Sequence, residues 1–476
     1  NNVAGVLTGG IWRAESTGAG ATVTLRGQHI TTNDADVYLS GAGSVIQVTN
    51  PSGVTQSLDN TLHTNLGALR LQNGRTFTAT ANSGNFTNTG ILELTDSTFN
   101  ANTLASDGAV LSFGNSTLTT APATQVTGNG SIVSSFGTLT ITRGVDMGAG
   151  SSMTSNPGGA IDLSNATQAS RIGTLANNGA LNLGAQNIVV TQDYTNANFG
   201  VGNAFDRRAN VSGAGQLVGE NAAMAVTGDV TPAGPNTVTL DLGNVRGGTS
   251  TTLNYQVANT GTGADIRGAV QTAANGGNIT DGRLSGSGGT AQNFGPVSAG
   301  DNTGNLAVTF NATSGGSLAG QSIAVVSKFD NVATQTITLA GTATALAVGN
   351  ATPSPGPVDL GNFRVGSAAP STGFTVENTT TGAGAERLGI GAVGTVGNFS
   401  ATNALGAGFV NPGASQANAV TASVSGGVAG ANFGLLTIDY TTNGQLIDAG
   451  FGTIASNSQQ IALTATGFNA AQGAAS

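Results

Sequence analysis

The apolar positions in the first half of the chain recur in one short form. GALRL (67–71), GILEL (90–94), GAVLSF (108–113), GSIVSSF (130–136), GTLTI (137–141), GAIDL (159–163) and GALNL (179–183) each set a glycine ahead of alternating apolar and other residues. A period of two is the pattern of a half-buried strand. The glycine-to-glycine steps are 23 (67 to 90), 18 (90 to 108), 22 (108 to 130), 22 (137 to 159) and 20 (159 to 179). One short strand per ~20 residues predicts a parallel β-solenoid (β-helix) over residues 1–230, each coil burying its apolar stripe only against its neighbours. Asparagine often precedes the beat (TNLG, TNTG, ANNG). Gly and Asn at these places are expected to turn left-handed corners. A hairpin-rich sandwich is the alternative for this half, but the beats repeat in one direction.

The texture changes after residue 230. Prolines gather in TPAGPN (231–236) and ATPSPGP (351–357), as at domain edges. Five blocks then occur twice in the same order. DLGNVRGG (241–248) matches DLGNFRVG (359–366), and YQVANTGTG (255–263) matches FTVENTTTG (374–382). AVTFNATSGGSLAG (307–320) matches AVTASVSGGVAG (419–430), SIAVVSKFDN (322–331) matches LLTIDYTTNG (435–444), and ITLAGTATA (337–345) matches IALTATGFN (461–469). The second half is therefore expected to be a duplicated module spanning 231–350 and 351–476. The size and strand rhythm of each copy predict an Ig-like β-sandwich, about seven strands without the antibody disulfide. The fold class expected is all-β throughout.

The first half, over roughly 1–225, resembles the passenger regions of autotransporters and filamentous-haemagglutinin-like adhesins. The residues that carry this are LTGGIW (7–12), ATVTLRG (21–27), GNFTNTGILEL (84–94) and IGTLANNGALNL (172–183). No C-terminal outer-membrane barrel pattern follows, which departs from that family. The repeated module is similar to the choice-of-anchor D repeats of bacterial surface proteins, related to hydin-type Ig-like modules, over 237–345 and 357–469. Asp359, Gly361, Phe363, Val365 and Gly366 carry the opening of that pattern, and Val376 and Asn378 its middle. Val245 in place of an aromatic residue, and the lack of proline in NATSGG and SVSGG, depart from it. The resemblances imply a secreted protein at the surface of a Gram-negative bacterium.

Composition narrows the function classes. Charged residues are 8% of the 476, glycines number 75, and apolar residues make up 38%. Few charges with that apolar share fit a folded β protein better than a disordered chain. Fourteen basic against 23 acidic residues give a net charge of −9. That sign disfavours nucleic acid or anionic membrane as partners. The absence of cysteine excludes disulfides and thiol chemistry. No apolar run approaches the ~18 residues of a spanning helix, so no transmembrane segment is expected. The opening NNVAGVLTGG lacks the features of a signal peptide, which is expected to have been removed already.

Candidate chemistry is sparse. The D-L-G-N-x-R-x-G element, present twice, lacks the G-x-x-x-x-G-K-[ST] spacing of a phosphate loop. It reads instead as a turn into the first strands of a sandwich, with Arg246 and Arg364 as surface or interdomain partners for carboxylates. The two histidines, His29 and His63, offer no Ser-His-Asp arrangement, and no G-x-S-x-G elbow occurs. The carboxylates Glu93, Asp96, Asp107, Asp146, Asp162 and Asp193 stand at unrelated offsets from their beats, so they read as solvated rather than as a glycosidase pair. Asn33, Asp34 and Asp36 form the best local oxygen cluster and a weak candidate calcium site, though they lack both known calcium-loop spacings. No other cofactor is indicated. Trp12 is expected to cap the first coil.

The function these features imply is non-enzymatic. The chain reads as an elongated structural subunit that assembles with copies of itself, head to tail, into an extracellular filament or surface layer. A monomeric adhesin for host or matrix glycans or proteins is the alternative, and a polysaccharide-active enzyme on the solenoid ranks behind both.

Overall fold

The computed structural model describes residues 1–18 and 20–473. Strands take up 55% of the chain and helix 3%. The largest sheet system has 24 strands, and nearly all its pairings are parallel. Its order follows from the beat. Strand Ile91–Thr95 pairs in parallel with Ala68–Gln72 on one side and Ala109–Phe113 on the other. Each coil thus lands in register on the one before it.

Three faces result. The first is built from strands such as Asn85–Asn88, Thr103–Ser106 and Val126–Gly128. The second carries Ala68–Gln72, Ile91–Thr95, Ala109–Phe113 and their successors, and the third Thr76–Thr78, Thr98–Asn100 and Ser116–Thr119. Alternation sends one row of each face inward. On the second face that row runs Trp12, Val37, Leu69, Leu92, Val110, Ile132, Met153, Leu175 and Tyr194. All but the half-buried Trp12 are closed to solvent. Each such side chain contributes about 1.5–3 kcal/mol by leaving water, and only the stacking of coils makes the burial available.

Most glycines of the beat work differently from the sequence expectation, Gly137 with its positive φ being an exception. Gly67, Gly90, Gly108 and Gly130 do not have left-handed backbones. Their hydrogens face the preceding coil at close range. A Cβ on Gly90 would stand 1.9 Å from the carbonyl oxygen of Gly67, and one on Gly108 2.0 Å from that of Gly90. Close approach of backbone, rather than a turn, selects glycine there.

The asparagines that precede the beat also differ from expectation. Asn65, Asn88 and Asn177 lie in strands with their side chains buried. Asn33 Nδ2 donates to Asn65 Oδ1 at 2.8 Å, Asn65 Nδ2 to Asn88 Oδ1 at 2.7 Å, and Asn88 Nδ2 to Ser106 Oγ at 3.0 Å. The amides form an internal ladder along one corner of the coil. They also donate to the carbonyls of Ala68, Ile91 and Ala109.

Two further units follow. Strand Met224–Gly228 pairs antiparallel with Ser250–Asn259, so the sheet pairing of the first unit begins ahead of residue 231. This unit has one sheet of four strands and one of seven. The second unit has two sheets of four, beginning with Gly349–Thr352. In both, the repeated DLGN lies in a strand paired in parallel with the unit's last long strand: Thr237–Val245 with Gln335–Ala343, and Val358–Arg364 with Thr453–Phe468. The register slips between Asp241 and Asn244, and again between Asp359 and Asn362. Gly243 and Gly361 take positive φ, and the Asp two residues earlier accepts each glycine's N–H at 2.9 Å. DLGN is therefore a β-bulge held by an aspartate turn. The apolar core of the coil stack continues into the first unit, whereas the second unit has a core of its own.

Candidate functional site

The oxygen cluster expected at residues 33–36 does not assemble. Alternation along Thr32–Ser40 turns Asn33 into the core, where it belongs to the amide ladder, and leaves Asp34 and Asp36 on the outer face. Asp36 accepts from Arg70 Nε at 2.9 Å. Among the described residues no three His, Cys, Asp or Glu side chains gather closely enough to hold a metal. The three residues fail as a calcium site because a strand points neighbours to opposite sides.

The other carboxylates are spread over all three faces. Glu93 on the second face pairs with Arg70, Asp146 on the first lies in register with Arg171, and Asp162 on the third accepts the N–H of Ser164. Asp96 and Asp107 each accept a backbone N–H from the next coil, of Asn115 and Asn129, both at 2.8 Å. These acids tie coil to coil or hold turns. His29 Nε2 meets the carbonyl of Val54 at 3.0 Å, and His63 Nδ1 meets Thr64 Oγ1 at 3.1 Å.

Asp193 stands apart, because it lies where the coil stack meets the first following unit. Lys328, the only lysine in the chain, is closed to solvent and places Nζ 2.6 Å from Asp193 Oδ1 and 2.8 Å from the carbonyl of Tyr194. Arg267 donates to both oxygens of the same carboxylate. Burial lowers Lys328 to about 8, with Asp193 opposing that shift. Burial alone would raise Asp193, but Arg267 and Lys328 outweigh it and hold the carboxyl below its ordinary value.

The residues after Lys328 complete a plug. Phe329 enters the core beside Tyr194, their ring centroids 6.4 Å apart. Asp330 Oδ2 accepts the N–H of Leu217 at 2.9 Å and pairs with Arg208. Asn331 exchanges two hydrogen bonds, each of 2.9 Å, with the backbone of Gly219 on the last strand of the stack. K-F-D-N thereby covers a sheet edge that would otherwise lie open. Sequence reasoning matched this segment only as a repeat block. A lone lysine beside an aromatic residue at a strand end was the available signal.

The second junction also centres on an ion-paired carboxylate, built from different residues. Arg246, just past the first bulge, donates Nε to Glu386 Oε1 at 3.0 Å and Nη2 to Oε2 at 2.6 Å. Thr344 and Thr442 donate their hydroxyls to the same carboxylate at 2.9 and 2.8 Å. The interdomain reading of Arg246 matches this contact. Arg364, at the same place in the second unit, is exposed and has no carboxylate partner among the described residues.

At the other extreme, the first coil is bare. Thr22–Arg26 pairs only with Val45–Thr49, and beyond its short hairpin to Asn2–Val3 the strand Val6–Glu15 pairs only with Thr32–Ser40. Ile11 is 59% exposed on that edge. Trp12 lies in register with the inward-facing Val37, at the end of the apolar row.

No family model matches the chain, and no curated protein matches it. Among solved structures it is similar to the native conformation of E. coli alpha-2-macroglobulin, at 11% identity over 52% of this chain and 17% of that one, with a TM-score of 0.20. It is also similar to three N-terminal domains of the bacteriophage RB49 highly immunogenic outer capsid protein, at 14% identity over 53% of this chain and 72% of that one, with a TM-score of 0.20. A third is CfaE, the adhesive subunit of CFA/I fimbria of enterotoxigenic Escherichia coli, at 12% identity over 52% of this chain and 87% of that one, again with a TM-score of 0.20. Likeness at this level carries no argument about this chain's fold or function.

Proposed function

We propose that this chain is a non-enzymatic, secreted structural subunit of a cell-surface assembly: a β-solenoid followed by two Ig-like sandwiches, polymerising head to tail. One observation carries the reading. The solenoid is sealed at one end by the K-F-D-N plug of the first sandwich, while its first coil leaves Ile11–Glu15 and Thr22–Arg26 without a strand on their outer side. Unpaired backbone with exposed apolar side chains is a template for another strand. A contact between unlike ends of identical subunits need not close, so it builds a filament or a layer. The low charge and the ion-paired junctions suit a rod that transmits load more than a site that turns over substrate.

Sedimentation across a wide concentration range, followed by electron microscopy, tests this. Assemblies that disappear in Ile11→Lys, with its edge-blocking charge, are expected. A wild-type protein that stays monomeric throughout overturns the reading, and a monomer that binds matrix glycans moves the protein to the adhesin class.

A further inference from the structure

We propose that the third face of the coil stack binds ice. Four successive coils repeat one outward pattern there: Thr76-Phe77-Thr78, Thr98-Phe99-Asn100, Thr117-Leu118-Thr119 and Thr140-Ile141-Thr142. The parallel register sets Thr76, Thr98, Thr117 and Thr140 in one column. Thr78, Asn100 and Thr119 form a second, which Thr142 continues as its N–H donates to Leu118. The residues between the columns, Phe77, Phe99, Leu118 and Ile141, are buried beneath, and the Phe77 and Phe99 rings stack within 3° of parallel. The face is thus a two-dimensional grid on a packed floor. Its repeats are about 4.8 Å from coil to coil and about 6.6 Å along each strand.

Two further observations point to an ordered-water ligand. The hydroxyls of Thr76, Thr98, Thr117, Thr119 and Thr140 have no protein partner among the described residues, and the grid's one internal side-chain bond is Asn100 Nδ2 to Thr78 Oγ1 at 3.3 Å. Some facing threonines elsewhere bond to each other instead, as Thr49 does to Thr55 and Thr252 to Thr309. The hydroxyl of Thr142, at the end of its column, is shut off from solvent, so in the fourth coil only Thr140 presents a hydroxyl to the grid. The grid also keeps its register through four strands, whereas the second face slips between Ser112 and Phe113.

Physical chemistry then selects the ligand. A threonine offers one donor, two acceptor lone pairs and a methyl group, and β-branching limits its rotamers. Fixed hydroxyls at two constant repeats can join a water lattice with comparable repeats, while the methyls order the water between them. Each bond is weak, but little entropy is lost when both surfaces are already rigid. A sugar polymer would call for exposed aromatic rings, and the rings of this face lie under the grid. In the next coil Asp162 takes the column position after Thr140, which ends the uncharged surface.

The full chain should partition into growing polycrystalline ice, shape single crystals and slow recrystallisation. Thr98→Tyr and Thr117→Tyr, which raise a bump through the grid, should lose all three effects with an unchanged melting temperature. Thr154→Tyr on the second face should keep them. Should a Tyr variant misfold, Thr117→Lys provides the same test with a smaller packing change. The proposal is overturned if wild-type protein is excluded from ice, if the grid variants still shape crystals, or if the protein instead adheres to crystalline cellulose or chitin without shaping ice. Monomer suffices for this activity, so the outcome is independent of head-to-tail assembly.

Discussion

Arg246 and Glu386 join the two C-terminal units through a two-pronged ion pair whose carboxylate side chain is wholly buried. Glu386 accepts four hydrogen bonds, two from the guanidinium and two from threonines contributed by both units. A buried charge of this kind is secure only while its partners are present.

Removal of one partner should therefore cost more than removal of both. Arg246→Met leaves the Glu386 charge uncompensated and should destabilise the second unit by about 3–5 kcal/mol. Arg246→Met with Glu386→Leu should recover most of that loss. The separate core of the second unit gives it a calorimetric transition of its own in which to read the cycle. Equal effects of the single and double changes would count against the pair.

Lys328 sets a pH dependence at the other junction. Burial drops it from 10.5 to about 8, so between those values the unfolded chain holds a proton that the folded chain has released. Stability from this group therefore rises as pH climbs from 8 to 10.5, and the full cost of burying the charge is present below 8. Asp193 acts at the acid end. Its folded value lies below 3.8, so its contribution is present above 3.8 and fades as pH falls through the folded value. In urea titrations at pH 7.5 and 9.5, the upward slope should vanish in Lys328→Met. A slope that persists there would assign it to other groups.

The parts legible in the sequence were those with a local cause. The period-two beats near 20-residue spacing reveal an all-β chain with many parallel strands, because each coil repeats the same short-range pattern. The DLGN repeat was readable as a backbone device, and its bulge with Asp241 and Gly243 is local too. What escaped depends on distance. Glu386 meets Arg246 across 140 positions, and Lys328 meets Asp193 across 135. Nothing near either residue marks its partner. Asn33 was misjudged for another reason: composition suggests a ligand cluster, while strand alternation puts its amide on the opposite side from Asp34.

The amide ladder gives a further expectation. Asn65 donates to Asn88 Oδ1 and to the carbonyl of Ile91 and accepts from Asn33, all within the core. Asn65→Ala leaves Asn88 Oδ1 without a donor and away from water, at a cost of about 1–3 kcal/mol. Thermal unfolding should show the loss, and hydrogen exchange should place it in the coils from Asn33 to Ser106. Uniform exchange across all coils would argue that the ladder is dispensable.

The glycine column provides the sharpest comparison, because two substitutions of identical chemistry should differ widely. Gly90 and Gly282 both lack a left-handed backbone, so an alanine at either place meets no dihedral penalty. At Gly90 the new methyl would stand 1.9 Å from the carbonyl oxygen of Gly67, which itself accepts the N–H of Ile91 at 2.8 Å. That oxygen cannot retreat without breaking the ladder bond that sets the register of the coil. At Gly282, exposed on the first unit, nothing lies within 4 Å. Gly90→Ala should cost more than about 4 kcal/mol, or prevent folding of the coil stack, while Gly282→Ala should stay within about 0.5 kcal/mol of wild type. Melting curves of the two variants would decide it, and equal stabilities would show that the coils can separate enough to admit a side chain.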